Sequence, residues 1–204
     1  MTILFAWDFH GVLEQGNELA VLKVTNQSLR EHGYEDQATL KDIKRLYGLP
    51  WRDYFRQLVP NVTEDKVEKM VNRCRELGRP AAESFCKPRN NVHSILKRIQ
   101  AEGHTSIVVS NSTQDDIEFF MKIIRVTHYI QEAYGVKGKK DETIRSHAES
   151  GDYSKIVVIG DTERDIEAGL TVNATTYLVL NGDPWRSKAH HIITDIREIL
   201  RELG

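Results

Sequence analysis

Four short runs, residues 3–7, 106–110, 155–159 and 176–180, are apolar at nearly every consecutive position and rich in β-branched side chains. A strand with one wet face alternates apolar and polar residues. A run without that alternation has both faces covered, the condition of a parallel sheet lying between helices. The intervening segments carry helical periodicity: Val92–Ala101 runs up to Gly103, 114–124 follows a Ser-Thr start, and 163–169 and 193–203 complete the set. Strands alternating with helices through right-handed crossovers predict an α/β fold, a Rossmann-like parallel sheet sandwiched by helices.

One region breaks the alternation. Between positions 16 and 87 no segment reads as a strand. Leu19, Leu22, Val24 and Leu29 lie in a stretch that stops at Gly33, and Leu40, Ile43 and Leu46 in one that stops at Gly48-Leu49-Pro50. Residues 54–58 and 67–77 form two more helical patterns. The expected organisation is therefore an α/β core from 1–15 and 88–204, with an all-helical insert over 16–87. Such an insert is either extra helices packed on the core or a cap over an active site, and the motifs below favour the cap.

The chain has 204 residues, 40% of them apolar and 28% charged, with a net charge of -2. Charges of both signs are interspersed, so neither nucleic acid nor an anionic membrane is an expected partner. No apolar run is long enough to span a bilayer, and the run at 1–7 meets Asp8 too soon to be a signal peptide. Cys74 and Cys86 are too few for a disulfide framework and are not spaced as metal ligands. A cytoplasmic protein is the expectation.

Ligands of open parallel sheets bind beyond the carboxyl ends of the strands. The first run ends in Asp8-Phe9-His10-Gly11-Val12-Leu13, the second in Ser110-Asn111, and the third in Gly160-Asp161 with Asp165 four residues on. Lys137, Lys139 and Lys140 lie in the loop between the second and third. Singly, each has an ordinary explanation as a turn former, a helix cap or a solvated charge. Jointly, they bring carboxylates, a hydroxyl and a lysine to one edge, a set suited to a metal-bound phosphoryl group.

These segments resemble, in order and spacing, the four signatures of the haloacid dehalogenase superfamily. Asp8 to Leu13 is similar to the first, 107–111 to the second, Lys139-Lys140-Asp141-Glu142-Thr143-Ile144 to the third, and Gly160-Asp161-Thr162-Glu163-Arg164-Asp165 to the fourth. The helical insert occupies the position of the family's small cap. The resemblance implies a Mg²⁺-dependent phosphohydrolase acting on a small phosphorylated metabolite, in which Asp8 forms an aspartyl-phosphate. It also implies that Asp8, the backbone carbonyl of His10 and Asp161 hold the metal. By the same resemblance Asp165 would bind or orient a metal water, Ser110 and the Asn111 amide would hold phosphoryl oxygens, and a lysine would offset charge. Lys139 aligns best with the family's lysine, with Lys140 the alternative.

The departure is His10, where the family's phosphatases carry a second aspartate as acid and base. As a residue type, imidazole titrates at about 6.5 against about 3.9 for an aspartate carboxyl, and can perform both proton transfers. Three readings stay open: His10 as substitute acid and base in a phosphatase, a different chemistry such as phosphonate or carbon–halogen cleavage, or a weakly catalytic anion-binding or regulatory protein. Family phosphonate cleavage uses a cap lysine, for which Lys23, Lys41 and Lys44 are available. Trp51 and Arg52, behind Gly48-Leu49-Pro50, either contact substrate or serve as core and solvent-facing residues respectively. Glu14 and Asn17 lie near the hinge of the insert, His190-His191 reads as a late surface strand, and Phe119-Phe120 as core.

Overall fold

The computed structural model describes residues 1–35, 37–46, 49–136, 139–182 and 186–204. In chain order the elements are β1 (Thr2–Trp7), β2 (Glu14–Gln15), α1 (Asn17–Glu31), α2 (Leu40–Leu46), α3 (Trp51–Leu58), α4 (Glu64–Phe85), β3 (Lys87–Pro88) and α5 (Val92–Ala101). There follow β4 (Thr105–Ser110), α6 (Gln114–Ile123), β5 (Glu132–Gly135), α7 (Lys140–Glu149), β6 (Tyr153–Gly160), α8 (Glu163–Thr171), β7 (Thr175–Val179) and β8 (His191–Ile193). They divide into two compact units, Met1–Gln15 with Lys87–Gly204, and Gly16–Cys86. Lys87, expected at the end of the helical insert, instead pairs with Gln15 in the two-stranded β2–β3 ladder of the α/β unit.

The α/β unit carries a six-stranded sheet in the order β5-β4-β1-β6-β7-β8, parallel at every pairing. Strand alternation divides β1 between two layers. Ile3, Phe5 and Trp7 pack with Val92, Ile95, Leu96 and Ile99 of α5 on one side. Leu4 and Ala6 pack with Ile144 of α7 on the other. Both faces are thereby covered, which is why the run lacks polar positions. The outer strands differ from expectation: β5 was not foreseen, because Glu-Ala-Tyr-Gly is half-exposed and carries no apolar run. Ile193, expected to start a helix, instead closes β8, and a 3₁₀ helix covers Ile196–Leu203, opened by the Asp195 carboxylate accepting from the Arg197 amide.

The helical unit has its own apolar interior. Ala20, Val24 and Leu29 of α1 face Val67, Met70, Val71 and Cys74 of α4, with Phe55 of α3 fully buried among them. The Ser28 hydroxyl donates to the Met70 carbonyl at 3.2 Å, tying the two long helices together. Helix α4 passes through Gly78 and Pro80 to Phe85, further than its periodicity suggested. Both cysteines are buried thiols, and burial pushes Cys74 up to about 12. Among the described residues no helix is long and apolar enough to cross a membrane.

Phe5 is wholly buried on the central strand. Phe5→Ala leaves a cavity between β1 and α5 and should cost about 3–5 kcal/mol of stability, read from urea unfolding.

Candidate active site

The alternation that sends Leu4 and Ala6 toward α7 continues one step past the end of β1. Asp8 therefore meets the N-terminal turn of α7, where Lys140 stands one helical turn before Ile144. Trp7 is in register with Val108 on one side and Ile159 on the other, and the Asp8 amide donates to the Ile159 carbonyl at 2.8 Å. Asp8, Ser110 and Asp161 thus follow within two residues of one line across three adjacent strands.

Among the described residues Lys140 is the cation that meets the carboxylates of the site. Its ammonium donates to Asp8 Oδ1 and to Asp165 Oδ1, both at 2.5 Å, and its side chain is 9% exposed. Lys139, the favoured lysine of the sequence reading, is 71% exposed and pairs with Glu142 three residues on. Helix phase decides between them. Lys140, Ile144 and His147 are buried on one stripe of α7, whereas Lys139 precedes the helix and turns to water. That stripe was available in the sequence and would have selected Lys140. Lys137 lies outside the described residues.

Three carboxylates, Asp8, Asp161 and Asp165, offer oxygens within 4.8 Å of one another. Burial and the neighbouring Asp165 push the Asp8 carboxyl up, against the pull of Lys140 and a smaller one from His10. Burial, then Asp8 and Asp165, push Asp161 up to about 8. Burial works to lower the Lys140 ammonium, but the two carboxylates override it and hold it raised. Among the described residues one ammonium faces three acids, which leaves an excess of negative charge, so the donor set fits a hard divalent cation with oxygen ligands, such as Mg²⁺. Asp165 is already engaged: Oδ2 accepts from the Thr162 amide and hydroxyl in a capping box at the start of α8, and Oδ1 receives Lys140. Its cap role and its site role coincide.

Gly11 is where the backbone must be bare. Its φ is +77°, and a Cβ there would stand 2.1 Å from Asp161 Oδ2. Its carbonyl accepts from Asn181 Nδ2 at 2.9 Å and from Arg89 at 2.6 Å, while the same Asn181 nitrogen reaches Asp161 Oδ2 at 2.9 Å. Arg89 also bonds the Asn181 side-chain oxygen. Neither Arg89 nor Asn181 was singled out from the sequence. They stand 78 and 170 residues from Gly11, and no local pattern marks them.

Ser110 is buried at the carboxyl end of β4, its hydroxyl accepting from the Ser112 amide at 3.4 Å, with Asn111 exposed beside it. His10 Nδ1 lies 2.9 Å from the buried Glu14 carboxylate, and its ring meets Phe120 edge-on at 4.7 Å between centroids. Trp51 and Arg52 open α3 in the helical unit. Trp51 stacks on Phe55 and meets Tyr54 edge-on, and Arg52 pairs with Glu68.

A profile of the haloacid dehalogenase-like hydrolases matches residues 4–179. A Clostridium perfringens protein described as a candidate pyrophosphatase, PpaX, is 25% identical over 177 residues, 83% of this chain and 80% of that protein. Among solved structures, a candidate phosphatase from Clostridium difficile superposes with a TM-score of 0.83 at 18% identity, covering 98% of each chain. A predicted phosphoglycolate phosphatase from Haemophilus somnus gives the same TM-score and identity, over 98% of this chain and 97% of that one.

Two outcomes are expected. Lys140→Met should cut activity by about 10²-fold or more, whereas Lys139→Ala should leave it within about 3-fold, measured as kcat/KM. In metal-free protein, Asp161 contributes stability that is fully present below its ordinary 3.8 and is lost as pH rises through about 8. The metal-free melting temperature should therefore fall between those pH values, and saturating Mg²⁺ should reverse the fall.

Proposed function

This chain belongs to the haloacid dehalogenase-like hydrolases, and on that premise we propose that it is a Mg²⁺-dependent phosphatase of a small phosphorylated metabolite, working through an aspartyl-phosphate at Asp8. The observation that carries the reading is the burial of Lys140 against both Asp8 and Asp165. A surface lysine in that loop would be ordinary. A buried one at the end of the first strand holds a carboxylate oxygen in place and favours the ionised carboxylate against the burial that raises its pKa.

In the proposed reaction an Asp8 oxygen attacks phosphorus and the ester oxygen leaves with a proton from His10. Water then attacks the acyl phosphate, its proton passing to His10, and phosphate departs as the Asp8 carboxylate is restored. Ser110 and the Asn111 amide hold phosphoryl oxygens, and Lys140 balances the charge that accumulates on them. Mg²⁺, held by Asp8, the His10 carbonyl and Asp161 with Asp165 orienting beside them, would offset the repulsion between carboxylate and phosphate. The helical unit is the part expected to select the substrate, by its insertion point in the chain. Within that unit Trp51 stacks on Phe55 and Arg52 pairs with Glu68, and they are its candidate substrate contacts.

The acidic cluster disfavours metal-free dehalogenation. Lys23, Lys41 and Lys44 are all exposed, unlike the buried, low-pKa amine that Schiff-base chemistry on a phosphonate needs. A cytoplasmic location fits a small-metabolite phosphatase and is part of the same reading.

Phosphate release from an aryl phosphate, pyrophosphate and 2-phosphoglycolate, each with and without Mg²⁺, tests this. Turnover should need the metal and fall by about 10³-fold or more in Asp8→Asn. Activity that survives in Asp8→Asn would overturn the covalent route.

A further inference from the structure

The side chain at position 10 has a dedicated partner. Glu14 is 1% exposed, and its Oε2 stands 2.9 Å from His10 Nδ1. The backbone builds this approach: the Gly11 amide donates to the Glu14 carbonyl at 2.9 Å, and the Glu14 amide to the Phe9 carbonyl at 3.1 Å, so the chain folds back on itself within six residues. Glu14 then enters the short β2–β3 ladder opposite Pro88, which fixes it from the far side. The ring is held from two further directions, with Phe9 edge-on at 5.2 Å and Phe120 edge-on at 4.7 Å. The imidazole lies near enough to Asp8 to bear on its carboxyl electrostatically.

We infer that Glu14 is a positioning residue for His10, fixing the proton on Nδ1 so that Nε2 is the atom that exchanges protons with leaving group and water. The inference rests on the proposed phosphatase reading and deepens it. A carboxylate accepts but does not donate, so a histidine facing one through Nδ1 carries its hydrogen there, and Nε2 keeps its lone pair. When the phosphoenzyme is hydrolysed, water forms the new P–O bond and gives its proton to Nε2. The bond from phosphorus to Asp8 breaks, and its electron pair returns to the carboxylate. The ring, held through Nδ1 by Glu14, then delivers that proton from Nε2 to the leaving oxygen of the next substrate. A carboxylate at position 14 also accounts for the residue at position 10. An aspartate there would place two acids against each other, whereas a histidine makes a complementary pair.

Three measurements on the full-length protein test this. In ¹⁵N-histidine spectra at mildly alkaline pH, the His10 signal, assigned by its loss in His10→Gln, should show the Nδ1-protonated tautomer. It should become a mixture of tautomers in Glu14→Gln, an isosteric change that keeps the packing. In rapid-quench experiments with a radiolabelled aryl phosphate, decay of the phosphoenzyme should slow by about 10- to 100-fold in Glu14→Gln, with KM within about 3-fold of wild type. Finally, His10→Asp should lose activity, and adding Glu14→Gln should restore part of it, a coupling that a purely structural glutamate would not produce.

An Nε2-protonated wild-type tautomer, or equal phosphoenzyme decay in both proteins, would overturn the positioning role. Absence of any phosphoenzyme in wild type would instead overturn the covalent reading, and the tautomer would still be read independently.

Discussion

Three carboxylates at the end of a parallel sheet repel one another, and burial makes the repulsion worse. Among the described residues of the α/β unit that tension is met by one ammonium, Lys140, lodged between Asp8 and Asp165. Much of the local architecture serves this contact. The parity of β1 sends Asp8 to the side of α7, and the phase of α7 turns Lys140 inward above Ile144. The capping box of α8 fixes Asp165 to receive it. What the ammonium leaves uncompensated falls on Asp8 and Asp161, whose carboxyls are both pushed toward neutrality by burial and by their acidic neighbours.

Glycine carries a different part of the same design. Gly11 lets the backbone pass beside Asp161 with a conformation and a clearance that a side chain would forbid, and its carbonyl is tied down by Asn181 and Arg89. The first and fourth motifs are therefore not merely adjacent. They are fastened together by one backbone oxygen and one side-chain amide. Glu14, from the other end of the same turn, holds the imidazole at position 10. The departure from the family's usual aspartate is thus matched by a second residue, which argues for a working acid and base rather than a lapsed one.

How much of this was legible in the sequence depends on the range of the interaction. The inner strands and the four motifs were readable, because a strand covered on both faces and a turn at its end leave local signatures. Strand β5 was not, since an edge strand of Glu-Ala-Tyr-Gly carries neither alternation nor an apolar run. Motif alignment favoured Lys139, whereas the lysine that reaches Asp8 is Lys140, and helix phase would have selected it. Arg89 and Asn181 were beyond reach, because their partners are set by tertiary folding across most of the chain's length. Glu14 lay between these cases. It was noted for its place beside the insert, but its bond to His10 depends on a turn that only the folded backbone reveals.

The central claim is that Asp8 is the nucleophile that Lys140 holds in place. The most direct measurement is to quench the enzyme during turnover of an aryl phosphate, reduce with borohydride and map the peptides by mass spectrometry. An acyl phosphate on Asp8 would be reduced to homoserine, and the account predicts that residue at position 8 alone, appearing only with substrate and Mg²⁺. Sustained turnover with aspartate intact at position 8, or homoserine at another position, would contradict it.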